Sequence, residues 1–441
     1  MPIKQGNVMA KVVLGVAIAA LFATPAVCAP WERGYVIGNY EPAFFYGAKT
    51  GASDPGTDCP KGANPDNNYR VILKTSWRSD DEVRELTRTV TESGKNPTSV
   101  MNDALAHRGF RKDIETYINP FTAPDPGVQE VTGRIAEGFD LDGNARTGGF
   151  TSPDGRHGID NAYYRVMGCG NSYRGVAYQG YLSSRGNDKM LDGLYTMVVR
   201  ISGNQDPMND SDARVEIGYS PDHVVKDYLA NALSDYSFRI VKTAQYSSLR
   251  ATIKNGVVET EQAAELRMPS FAWYETNRGE TVLFKGRMRL QMQPDGGLSG
   301  LAGGYQDFRV LYGRDTFNVP SGGQSRETTY FQNQIALYYA LKRNADGMPD
   351  PKTGENTGIS TAYRFLAQPA FVVDPETPAP INEPLTSDKA EIQRALFLKA
   401  VTTREISPEP KFRKAAPPAP SSKNGLQANT DASSAIASAD Q

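Results

Sequence analysis

The 22 residues from Asp140 to Asn161, DLDGNARTGGFTSPDGRHGIDN, hold four aspartates and five glycines. A hard cation such as calcium takes about six to eight oxygens at once, so carboxylates and carbonyls must converge within a few residues while glycines let the backbone bend around the ion. Asp140, Asp142 and Asn144 supply alternating oxygens in the first arm of this stretch, and Asp154, Asp160 and Asn161 can supply the rest. The opening matches the D-x-D-x-N start of an EF-hand loop. Ala145 stands where that loop needs its glycine, and Thr151 where it needs its closing glutamate, which excludes a standard EF-hand. A longer calcium loop folded between strands remains, beside a plainer use of the same aspartates as turn caps through Asx hydrogen bonds.

A second segment of similar character, NADGMPDPKTGENTGIS, runs from Asn344 to Ser360. Asp346, Asp350 and Glu355 could form another cation loop there, while Gly347 and Pro349 could equally be stopping a helix and turning the chain. The DPMNDSD stretch from Asp206 to Asp212 reads as a solvated connection between two strands.

Hydrolytic chemistry leaves fewer marks. His107, His157 and His223 are the only candidate imidazole bases, and the chain has neither a G-x-S-x-G elbow nor an H-E-x-x-H pair. Glycoside hydrolysis needs only two opposed carboxylates, and the sequence does not select a pair from its 50 acidic residues. Catalytic residues are therefore not assigned. Tyr163, Tyr164, Tyr173, Tyr178 and Tyr181 follow the acidic loop closely enough to form a sugar-stacking platform, although sheet core is the commoner use of such residues.

The pairing of DLDG…FTSPDG…GIDN with NADGMPDPKTG…AYRF resembles one found in an uncharacterised family of secreted bacterial proteins. The likeness spans roughly Thr132 to Asp374 and implies export and a shared fold. It implies no activity, because none is attached to that family.

The elements that must position these loops are mostly strands. With 41 glycines, 29 prolines and 22 tyrosines in 441 residues, the chain is rich in turn formers and in side chains suited to pleated surfaces. Gly34–Asn39 and Tyr69–Ser76 read as strands, as do LYTMVVRI and ARVEIGY from Leu194 onward. Asn255-Gly256 and Pro294-Asp295-Gly296-Gly297 each punctuate a pair of alternating segments, which predicts two hairpins. Helical spacing marks Asp80–Val90, with Ser79 as N-cap, Thr98–His107, and Thr329–Arg343. The expected architecture is mainly β, a large jelly-roll-like β-sandwich with peripheral helices. Residues 30–374 form the β-rich globular region, one large or two closely packed units, and the Pro/Ala/Ser-rich residues 375–441 a mostly disordered tail holding one short amphipathic helix after Asp388.

Lys4 and Lys11 ahead of the apolar run Val12–Phe22 make residues 1–29 a secretory signal peptide, with cleavage after Ala26, Cys28 or Ala29 open. The run is too short to span a bilayer, which needs about 20 apolar residues. Export to the periplasm or beyond predicts that Cys59 and Cys169 are bonded. In the chain-entropy model so long a loop contributes on the order of 4 kcal/mol at most. A net charge of −2 with no basic stripe excludes nucleic acid as a partner. The function expected is that of an exported, soluble, calcium-stabilised binding or envelope-associated structural protein, meeting a carbohydrate or an envelope protein. The alternative is a secreted glycoside or ester hydrolase using paired carboxylates.

Overall fold

A computed structural model describes residues 30–45, 58–64, 79–93, 119–122, 125, 127–144, 149–170, 173–174, 178, 180–227, 230–271, 278–317 and 334–378. The expected signal peptide, the strand at 69–76, the helix at 98–107 with His107, and the tail beyond 378 lie outside the described residues.

In chain order the strands are β1 (Trp31–Pro42), β2 (Met197–Gly203), β3 (Asp210–Tyr219), β4 (Ser237–Arg239), β5 (Ser247–Lys254), β6 (Val257–Thr260), β7 (Ala263–Phe271), β8 (Arg278–Met292), β9 (Leu298–Asp307), β10 (Gly347–Pro349) and β11 (Asn356–Val373). The path β1-β2-β3-β5-β6-β8-β9-β11 is antiparallel throughout and returns on itself, because β1 pairs with β11 as well as with β2. The sheet is thus a closed eight-stranded barrel with β4, β7 and β10 added to it, and the expected sandwich is corrected to a barrel. Both architectures demand the same apolar-in, polar-out alternation. What separates them is the closing ladder, Gly34 opposite Ala370 and Tyr35 opposite Pro369, between strands at opposite ends of the described region. Gly34 is required there, since a Cβ would lie 2.6 Å from the Ala370 carbonyl oxygen.

Tyr35, Ile37, Val199, Ile201, Val215, Ile217, Ala251, Ile253, Leu290 and Phe365 fill the barrel interior. Arg200, Arg214, Glu216 and Arg250, one position out of step, stand on the outside of the same strands. Apolar inside and charged outside is the reverse of a lipid-facing barrel. No helix among the described residues is long and apolar enough to cross a membrane.

The local signals behave as their chemistry dictates. Asn255 (φ 51°) and Gly256 (φ 76°) form the two-residue turn between β5 and β6, where both central residues need positive φ. The Pro294–Gly297 turn joins β8 to β9 and is closed by Gln293 N donating to Gly297 O at 2.9 Å. Five helices are described: α1 (Asp80–Ser93), α2 (Ala162–Met167), α3 (Tyr181–Leu191), α4 (Phe308–Phe317) and α5 (Gln334–Arg343). Ser79 and Glu82 make a reciprocal capping box at the start of α1, Glu82 N to Ser79 Oγ at 3.2 Å and Ser79 N to Glu82 Oε2 at 3.1 Å.

A second core, outside the barrel, gathers Phe44, Val131, Phe150, Ile159, Tyr163, Tyr164, Leu311, Leu337 and Leu341, so α2, α4 and α5 pack on the acidic stretch. The Cys59–Cys169 disulfide is formed within it and is fully buried. A third cluster, Val36, Val198, Phe238, Ile240 and Val372, seats β4 against the outer face of β1, β2 and β11.

Candidate cation site

The acidic stretch folds back on itself as two short arms. Phe139 bridges Asp160, and Phe150 bridges Ile159, with Asp160 N donating to Phe139 O at 2.8 Å. The tip between Asp140 and Asn144 is a pair of Asx turns: Asp140 Oδ1 accepts from Gly143 N and Asp142 Oδ1 from Asn144 N, both at 2.7 Å, with Gly143 at φ 78°. Asp160 Oδ2 in turn accepts from Leu141 N at 2.8 Å. The turns and the convergence are one structure. Asp140, Asp142 and Asp160 each present an oxygen within 4.8 Å of the others.

Under them lies an apolar floor of Phe139, Leu141 and Tyr305, with Met348 against it. Arg364 fixes the base of the arms to the barrel wall. It pairs with Glu137 at 3.2 Å and, through Nε, with the buried Glu41 at 2.7 Å.

Asp346, from the second acidic segment, joins this group. Its oxygens accept from Ser360 N at 2.7 Å and Ser360 Oγ at 2.6 Å, and β11 sets Ser360 opposite Tyr305 of β9. Its charge acts on the same carboxylates. Burial raises the Asp160 carboxyl, the Leu141 amide opposes this, and the charges of Asp142 and Asp346 raise it further, to about 6. Asp346 is raised chiefly by burial, against its bonds from Ser360, with Asp142 adding to the rise. Burial and then the charges of Asp346, Asp160, Asp142 and Asp140 push the Tyr305 hydroxyl up as well. Four carboxylates from two segments some 200 positions apart therefore share one electrostatic site.

No family model, curated protein or solved structure matches the chain.

The remaining candidate ligands serve other ends. Asp154 binds its neighbours Ser152 and Arg156, the latter at 3.0 Å; burial would raise its carboxyl, but these two partners outweigh it and hold it low. Asn161 caps α2, its Oδ1 accepting from Tyr164 N at 3.1 Å while Nδ2 donates to Ala43 O and Glu137 O. Asn144 lies exposed at the tip. Asp350 takes the amides of Lys352 and Thr353 in a turn of its own, and Glu355 faces Lys342 at 3.3 Å. His157 shares a hydrogen bond with Thr151 at 3.1 Å. Tyr163, Tyr164 and Tyr173 are buried core, Tyr178 is half-buried near Arg364, and Tyr181 opens α3.

A pH dependence follows. The ion-free folded chain keeps a proton on Asp160 up to about pH 6, whereas the unfolded chain releases it near 4. Between those values the folded state binds more protons, so stability falls as pH rises from about 4 to about 6 and stays lower above. Urea midpoints measured in EDTA should show this decline, and saturating calcium should flatten it. Midpoints indifferent to calcium across that range would contradict the assignment.

Proposed function

We propose that this chain is an exported, calcium-stabilised barrel protein that serves as a binding or envelope-associated structural component in the periplasm or outside the cell. The observation that carries the reading is the convergence of Asp140, Asp142 and Asp160, each with an oxygen within 4.8 Å of the others. Carboxylates held this close repel one another unless a cation of suitable size neutralises them. Calcium suits the donor set, which consists of hard carboxylate oxygens on short side chains. The buried disulfide and the resemblance to secreted bacterial proteins support export. A carbohydrate or an envelope protein is the partner class in keeping with that address.

Calcium at about 100 times its dissociation constant should stabilise the folded state by about 2.7 kcal/mol through mass action. The test is a melting temperature that rises by a few degrees with calcium, falls back with EDTA, and does not respond in Asp142→Ala. If the variant and the wild type respond alike, the aspartates are turn formers only.

A secreted hydrolase is the second reading, in which the Asp160 carboxyl, pushed up chiefly by its burial, would act as a general acid. In that case Asp160→Asn would abolish turnover of a glycoside or ester while leaving the melting temperature indifferent to calcium.

A further inference from the structure

The barrel wall also carries a groove of about 450 Å³ lined by Trp31, Glu32, Asn204, Asp212, Arg214 and Arg250 among others. Its floor is a single row across four strands: Glu32 opposite Ser202, Ser202 opposite Arg214, and Arg214 opposite Arg250. Directly opposed residues share a face, so all four side chains stand on the outside of the barrel. Two guanidinium groups side by side are an unfavourable cross-strand pair. Arg250 meets Asp212 at 3.2 Å, but among the described residues Arg214 has a hydroxyl partner, Ser248 Oγ at 2.9 Å, and no carboxylate.

The β2–β3 connection at the rim of this groove is fixed. Asp210, 1 % exposed, accepts from Trp31 Nε1 at 3.3 Å, Asn204 N at 2.9 Å, Gln205 N at 2.8 Å and Asp212 N at 2.9 Å. One buried carboxylate thus fixes both the indole and the β2–β3 connection, which makes the DPMNDSD segment more than a solvated link. The groove offers two kinds of partner: guanidinium forks that match a carboxylate in two-point hydrogen bonding, and the acceptors Glu32, Asp212 and the Asn204 amide.

We propose that this groove binds a hydroxylated organic anion of the uronic acid class, its carboxylate on Arg214 and Arg250 and its hydroxyls donating to Glu32 and Asp212. A bare anion such as phosphate would bring negative charge against those two carboxylates, whereas a sugar acid turns them into hydrogen-bond acceptors. A neutral sugar leaves Arg214 without its charged partner. The inference deepens the binding reading above by naming a ligand class, and rests on that reading only in taking the protein as a binder, since no groove residue belongs to the cation site.

The experiment is calorimetric titration of the calcium-loaded full chain with glucuronate, with glucose and inorganic phosphate as comparisons. Glucuronate should bind saturably, at least tenfold more tightly than either. Arg214→Gln, on an exposed side chain, should weaken it at least tenfold while its melting temperature and calcium response stay those of the wild type. Asp142→Ala, titrated below its own melting temperature, should bind glucuronate as the wild type does. That arm separates failure of the groove from failure of the cation site. No saturable glucuronate binding, equal binding of glucose or phosphate, or an Arg214→Gln variant that binds like wild type would each overturn the proposal.

Discussion

Asp58→Ala should destabilise the protein by about 3–5 kcal/mol, the range for leaving a buried charge without its partner. Asp58 and Arg174 are 2 % and 1 % exposed at the side chain, and they meet through two contacts, Nη1 to Oδ2 at 2.8 Å and Nη2 to Oδ1 at 3.1 Å. Tyr164 OH donates to the same carboxylate at 3.1 Å. Removing Asp58 takes the carboxylate away from a guanidinium inside the second core, where the Gly168 carbonyl at 2.9 Å is a neutral acceptor. Since whole domains are stable by only about 5–15 kcal/mol, a loss of this size should be plain in a urea titration. The cause is the buried cation deprived of its carboxylate rather than the lost bond itself, so Arg174→Met in the same chain should recover a large part of the loss. A single Asp58→Ala variant within about 1 kcal/mol of wild type would mean that water reaches Arg174 and that the pair is not sealed.

How much of this was legible in the sequence follows from the range of each interaction. The Asn255-Gly256 hairpin, the Pro294–Gly297 turn and the Ser79 cap are written within four or five residues, and the structure forms them there. Closure of the barrel is written in the β1–β11 ladder, between residues more than 300 positions apart, and alternation alone reads the same for a sandwich. The acidic site divides along the same line. Asp140, Asp142 and Asp160 stand out by composition, while the approach of Asp346 depends on the register that puts Ser360 beside Tyr305. Asn161 looks like a ligand by residue type, yet it begins a six-residue helix too short to leave a periodic signal, and capping claims its side chain. Asp58 and Arg174 sit in stretches of loop composition. Nothing local marks them as a buried pair.

The second large effect should come from removing the cross-link. The Cys59–Cys169 bond joins residues 110 positions apart, and a loop of that length contributes on the order of 4 kcal/mol in the chain-entropy model, an upper figure where the unfolded chain keeps residual structure. Without it, residues 58–64 are held by a few polar ties: Thr132 N to Asp58 O at 2.9 Å, Asn64 N to Cys169 O at 2.6 Å, Asn64 Nδ2 to Gln129 O at 2.9 Å, and the Asp58–Arg174 pair. Because Asp58 is the direct neighbour of Cys59, the bond and the ion pair secure the same segment and should not act independently. In a Cys59→Ala/Cys169→Ala background the segment can lift and let water reach Arg174, so the penalty of Asp58→Ala should shrink well below its value in the cross-linked chain. A cycle of the four proteins in urea measures this directly. Strict additivity would show that the ion pair holds the segment unaided, and a cysteine-free chain as stable as wild type would show that the bond joins parts already fixed by packing.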